Sequence, residues 1–259
     1  MKFTRHKGEP TQKGNPHKLT RNQHVFPRMS IERFYNERNR VSAILTTENR
    51  RLSDIDSKHI IFCADRAWDQ RAEAGYMANI EREFQFFAER ILAEDLRWWT
   101  LKHAVITRFY ALWELRARYS SSPVPAPRLR DVLPGALLSK DQKEILESKH
   151  CLYADDDGSF PSRQMTGLRI QFELDQRCAQ LSNTQWRVCK AEAWAGEFLV
   201  PDRPTVLCIP LAPRIALVGN SDITIANADT LRFFNLIAAA GSDKFIFARD
   251  FSLCFPNRK

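Results

Sequence analysis

Histidine carries the side chain that titrates nearest neutral pH, and His24 stands in the compact run His24-Val25-Phe26-Pro27-Arg28. An imidazole there is placed for proton transfer, and the neighbouring Arg28 is placed to hold a phosphate with two parallel hydrogen bonds. The plainer alternatives are a His24 that bonds a backbone carbonyl and locks the chain as it enters the fold, and an Arg28 that is solvated or ion-paired. Glu81 sits between Ile80 and Phe84, so it is placed to point inward as a second proton-handling group. Its alternative is a solvated carboxylate paired with a nearby Arg. Glu73 precedes it by two helical turns, roughly 12 Å along the axis, too far for the pair to share one metal without other ligands.

Asp202 lies between Pro201 and Pro204 at the end of an apolar segment, where a rigid turn fixes a carboxylate at a strand end. A simple turn-forming Asp is the competing reading. Asn235, between Phe234 and Leu236, is a polar residue expected to be buried, either orienting one of the groups above or bonding only to local backbone. Arg97 and His103 form the R-x-x-x-x-x-H spacing used by a class of metal-independent ribonucleases, a spacing that also arises by chance. Asp155-Asp156-Asp157-Gly158 reads as a surface turn, since no Glu stands at the twelfth position of a calcium loop. The six cysteines lie far apart with no C-x-x-C pair and read as buried thiols. There is no phosphate-binding glycine loop, G-x-S-x-G, H-E-x-x-H or dinucleotide fingerprint. Pro201-Asp202 opens like a restriction-type nuclease motif, but no Glu-x-Lys or Asp-x-Lys follows on a next strand.

These residues need elements to position them. Residues 1–22 are rich in Gly, Pro, Asn, Thr and Lys without periodicity and read as a basic tail, disordered or ordered only on contact, with one α+β domain over 23–259. Met29 to Tyr35 suits a short helix capped by Ser30, and Val41 to Thr46 a strand. From Ala67 to Glu94, apolar residues such as Trp68, Met77, Ile80, Phe84 and Phe87 recur at steps of three and four, and a second apolar helix runs over about 96–119. Joined so closely, these predict a helical hairpin or one kinked helix. Arg163 to Leu181 and Asn227 to Ala240 read as further helices. Trp186 to Ala193, Thr205 to Leu211, Ile215 to Val218 and Lys244 to Ala248 read as strands. Helices first and strands later predict an α+β fold whose small mixed or antiparallel sheet comes mainly from the C-terminal half.

The 259 residues carry a net charge of +8, and residues 1–40 hold ten Lys or Arg against three Glu, so the rest is nearly neutral. A basic arm on a neutral body suits phosphates, an acidic partner or a membrane surface, or merely aids solubility. No apolar run reaches the roughly 20 residues that cross a bilayer. The charged opening leads into no apolar segment, so the expected compartment is the cytoplasm.

Several of these pieces, in order over residues 23–249, resemble an uncharacterised, mainly prokaryotic family catalogued as a domain of unknown function, number four-two-three-eight. The likeness rests on His24-Val25-Phe26-Pro27-Arg28 up to Phe34, on Trp68-Asp69-Gln70-Arg71-Ala72-Glu73 continuing to Phe84, and on Ala111-Leu112-Trp113-Glu114-Leu115-Arg116. It continues in Phe198 to Pro204, Ile209 to Pro213, Phe234-Asn235 and the strand ending at Arg249. The long basic stretch before His24 departs from the family. The resemblance brings no reaction and no cofactor, and a divalent metal stays open. With it, His24, Glu81 and Asp202 stand as catalytic candidates and Arg28, Arg116 and Asn235 as substrate-binding candidates. The expected function is a nucleic-acid-directed effector, a nuclease of a prokaryotic antiviral defence or toxin system. The alternative is a non-catalytic module that binds nucleic acid or protein.

Overall fold

The computed structural model describes residues 6–95, 102–128 and 137–255. Strand β1 (Asn22–His24) leads into α1 (Arg28–Glu32), then β2 (Val41–Leu45), β3 (Arg50–Ile55) and β4 (Cys63–Asp65). A π-helical turn over Ala72–Met77 runs into α2 (Ala78–Leu92), followed by α3 (His103–Tyr119), α4 (Lys140–Ser148) and α5 (Ser162–Gln180). The remainder comprises β5 (Trp186–Ala191), β6 (Val200–Pro201), β7 (Cys208–Ala212), β8 (Ile215–Gly219), β9 (Ile225–Ala226), α6 (Ala228–Gly241), β10 (Phe245–Ala248) and α7 (Phe251–Cys254). The class is α+β. Among the described residues no helix is long and apolar enough to cross a membrane.

The strands form a β1–β4 pair and two four-stranded sheets, ordered β3-β2-β10-β6 and β7-β8-β5-β9. The first of these corrects the expectation of a sheet built mainly from the C-terminal half. Its centre joins β2 to β10 across nearly the whole chain, with Phe245 opposite Leu45 and Phe247 opposite Ala43. The reason is aromatic packing, which periodicity within one segment does not reveal. The Phe247 ring meets Phe34 at 5.7 Å and Phe62 at 5.3 Å between centroids.

Phe26 is the hub of this core, with its ring 4.7 Å from Trp113, 6.2 Å from Phe109 and 6.3 Å from Phe247. Burying such a ring contributes roughly 2–3 kcal/mol, so the His24–Pro27 run is anchored at its apolar positions. Helices α2 and α3 pack with the Phe84 ring stacked on Phe109 at 3.6 Å. The first helix is not continuous, because Gly75 adopts φ −94°, ψ −110° inside the π turn. Nor does Ser30 cap α1; Pro27 stands at the cap, and the buried Ser30 hydroxyl accepts from the Gln85 amide at 2.9 Å.

Residues 6–21, expected to be a disordered tail, lie against the body. Leu19 is buried, and the Gly8 backbone approaches so closely that a Cβ would stand 2.1 Å from the Asp65 carbonyl oxygen. Gln12 donates its backbone N–H to Glu144 at 2.8 Å and its amide to Asp141 at 3.0 Å, while His17 pairs with Asp141 at 2.7 Å. Low apolar content hid this, since the segment is held chiefly by polar bonds to α4 and the start of the long helix.

Candidate functional site

The site assembles where β1, the long helix and α3 meet. Strand alternation turns Gln23 inward, where its amide exchanges hydrogen bonds with the Trp68 backbone at 2.8 and 3.2 Å. His24 therefore faces the other way, half-buried, with Nε2 2.9 Å from the Ser57 carbonyl oxygen. A carbonyl only accepts, so Nε2 carries the proton and in the neutral ring Nδ1 keeps its lone pair. Burial lowers the His24 pKa; the Ser57 carbonyl and Glu81 oppose that, and Arg116 and Arg28 reinforce it. At pH 7 the imidazole is neutral and able to accept a proton.

Ser57 is itself fixed. Its N–H donates to Tyr35 Oη at 2.9 Å, Tyr35 Oη donates to Ser57 Oγ at 2.8 Å, and Ser57 Oγ donates to Glu32 at 2.9 Å. Arg28, half of its side chain exposed, completes the chain by donating Nε to Glu32 at 2.6 Å. Arg28 thus stands at the rim, with the rest of its fork open to solvent.

Within electrostatic reach of the imidazole is Arg116, fully buried on α3. Its guanidinium bonds Glu81 through Nη1 and stands 3.6 Å from Glu73 through Nη2. Its Nε meets Met77 Sδ at 3.4 Å, and the group lies 5.5 Å from the Trp68 ring centre. Burial opposes the Arg116 charge, yet Glu81 and Glu73 outweigh it and raise its pKa. Burial raises the Glu73 pKa against the pull of Arg116, and the Trp68 indole donates to the same carboxylate at 2.5 Å. The two carboxylates converge on neighbouring nitrogens of one guanidinium, across a helix whose regular course is interrupted at Gly75. Glu81 differs from its partner Arg116 in exposure: 26 % of its side chain meets solvent against 2 % for Arg116. One Glu81 oxygen is held by Arg116 while the carboxylate meets solvent.

The structure brings Glu81, Arg116 and, at the rim, Arg28 within electrostatic reach of His24. It does not bring Asp202 or Asn235 to them. Asp202, just after β6, ties that strand's end to the connection between α6 and β10, accepting from Ser242 Oγ at 2.6 Å and from the Asp243 and Lys244 backbone at 2.9 and 3.1 Å. Burial raises its pKa against those donors, and the nearby charges are Lys244 and Asp243. Asn235 donates to the Glu197 and Cys254 carbonyls, both at 2.8 Å, and accepts from the Leu199 N–H at 3.0 Å. It ties α6 to the segment before β6 and to α7. Both side chains are saturated by their own chain, and these contacts correct the picture of them as site residues. Arg116, expected as a substrate contact, is buried, with its guanidinium engaged by Glu81 and Glu73. His103 Nδ1 accepts the Trp186 N–H at 3.0 Å, and Arg97 lies outside the described residues.

Ser57 and Tyr35 were missed in the sequence, since neither stands in a run that marks it. Among the described residues no three His, Cys, Asp or Glu side chains gather into a metal-binding group. Comparison with family models, curated proteins and solved structures gives no match. The family resemblance thus rests on the quoted motifs, and the site is read from its own chemistry.

Proposed function

We propose that the protein is a nucleic-acid-directed effector, a nuclease in which His24 moves the proton at the scissile phosphodiester. The observation that carries this reading is the neutral imidazole held by Ser57 beside Glu81, with Arg28 at the rim. His24 Nδ1 takes the proton of the attacking hydroxyl as the new P–O bond forms. The bond to the leaving oxygen breaks, and that oxygen receives a proton from the imidazolium. Glu81, held in place by Arg116, stabilises the positive charge on His24 while it lasts. Arg28 offsets the charge of the phosphate. The choice of a polyanion is supported by the excess of basic residues over 1–40, the stretch that leads into and past His24.

The test is incubation of purified protein with RNA and with DNA, with and without divalent cations, beside His24→Ala and Glu81→Gln. The expected outcome is cleavage by the wild type and a loss of about 10²–10⁴ in His24→Ala at unchanged fold. Intact RNA and DNA under every condition would sink the reading. A toxin or defence role predicts that expression of the wild type, and not of His24→Ala, arrests growth.

The bond from His24 Nε2 to the Ser57 carbonyl favours a second reading, a non-catalytic binding module in which His24 locks the chain. There His24→Ala lowers Tm and leaves cellular activity in proportion to the folded fraction.

A further inference from the structure

A cleft of about 760 Å³ opens where β3 and β10 end and β2 begins, and the reaction above leaves it unassigned. Arg38, Arg51 and Arg249 line it from three separate segments, alongside Asp54, Asp250 and Glu37. The arginines are unequally engaged. Arg249 holds the buried Glu197 through Nε and Nη2, and Arg38, 80 % exposed, stands 3.5 Å from Asp54. Arg51 lies 5.8 Å from the Phe251 ring centre, and no ion pair holds it among the described residues. Asp250 uses Oδ1 to cap α7, accepting from Ser252 N–H and Oγ at 2.9 and 2.8 Å.

The backbone around the cleft is built away from a regular sheet. The β2–β3 register shifts at Ser42, and Asn39 and Asp54 take the left-handed conformation at φ 56° and 55°. Bulges and left-handed non-glycine residues of this kind re-aim side chains and cluster at binding sites. The cleft also touches the His24 site. Tyr35 lines it, and the Tyr35 hydroxyl bonds Ser57, whose carbonyl holds His24.

The lining matches three cations with three anions, so a bare polyanion gains little net attraction there. A ligand that suits it presents a phosphate to Arg51 and hydroxyl donors to the carboxylates. We infer that the cleft binds a ribonucleotide unit of single-stranded RNA, the phosphate on Arg51 and Arg38 and the ribose hydroxyls on Asp54 or Asp250. The 2′-hydroxyl is the group that tells RNA from DNA. This inference rests on the reading of the His24 site as acting on nucleic acid, and narrows that reading to RNA.

The test is fluorescence anisotropy of the full chain with a labelled single-stranded RNA and the DNA of the same sequence. Wild type is expected to bind the RNA about tenfold more tightly, and Arg51→Glu to weaken RNA binding about tenfold. Arg38→Glu, on a largely exposed side chain that folding does not need, is expected to weaken it in the same direction. Equal affinity for RNA and DNA, or RNA affinity unchanged in both arginine variants, overturns the inference. The His24→Ala variant separates the two readings. Cleavage lost in that variant with RNA affinity indifferent to Arg51 and Arg38 leaves the His24 reading standing without the cleft. Arginine-dependent RNA binding with no cleavage by wild type leaves the cleft and removes the nuclease.

Discussion

Two buried guanidinium–carboxylate clusters in this molecule are built with opposite stoichiometry. Within electrostatic reach of His24, one guanidinium, Arg116, faces two carboxylates, Glu81 and Glu73. Under the N-terminal arm, one carboxylate, Glu147, faces two guanidiniums, Arg66 at 2.6 Å and Arg163 at 2.8 Å. The second cluster is closed. Glu9 on the arm bonds Arg163 and supplies the missing negative charge, its carbonyl accepts from Arg66 at 3.0 Å, and the Tyr153 hydroxyl bonds Arg163. The first is left open, its surplus carboxylate directed at solvent beside an imidazole. The Glu147 cluster completes its charge balance from within the chain, whereas the Arg116 cluster carries one carboxylate in excess.

The comparison is broken or sharpened by removing one group at a time. Glu147→Ala strips two buried arginines of their shared partner and is expected to cost about 4 kcal/mol in urea unfolding, because uncompensated buried charge is expensive. A loss below about 1 kcal/mol would mean that the arginines reach water and that the cluster is not closed. Arg116→Met is expected to cost less, about 2 kcal/mol, since Glu81 can turn to solvent while only Glu73 must be neutralised. Equal losses in the two variants would erase the distinction between open and closed.

Asp69 adds a pH signature to the closed cluster. It is buried with Oδ1 unpartnered, and burial, opposed by Arg71 and reinforced by Glu147, raises its pKa to about 6. A carboxyl raised in this way binds its proton more tightly folded than unfolded. Its contribution is therefore full below the unfolded value near 4 and is lost as pH rises through about 6. Stability measured from about pH 4 to 7 is expected to fall by roughly 2–3 kcal/mol more in wild type than in Asp69→Asn. Parallel pH profiles would show that Asp69 is not held neutral. The smallest effect is expected from Glu9→Gln, about 1 kcal/mol, because Glu9 is largely exposed while its partner is not. Its more specific readout is faster proteolysis within residues 6–21, and an unchanged cleavage rate would show that the arm does not depend on this charge.

Much of the fold was legible where one segment carries its own pattern. The spacing of apolar residues marked α5 and α6, with Asn227 capping the latter through the Thr230 N–H at 2.9 Å. Alternation and apolar runs marked β2, β5, β7, β8 and β10 to within a few residues. Of the site, His24 and Glu81 could be singled out because an imidazole before a proline and a carboxylate on an apolar helix face are locally unusual. Asp202 and Asn235 looked equally promising for the same local reason, and nothing nearby in the chain could distinguish them.

By itself, then, the sequence determined the longer helices, the main strands, the apolar faces and the charge of the arm, because propensity and periodicity act over a few neighbouring residues. Tertiary structure alone decided which polar groups were saturated and which were left open. It paired β2 with β10, laid the arm on α4, gave Asp202 and Asn235 to the chain's own amides and carbonyls, and set Arg116 against Glu81. The physical reason is that a buried polar group takes whatever partner the fold brings within about 3 Å, and those partners lie tens to hundreds of residues away in the chain.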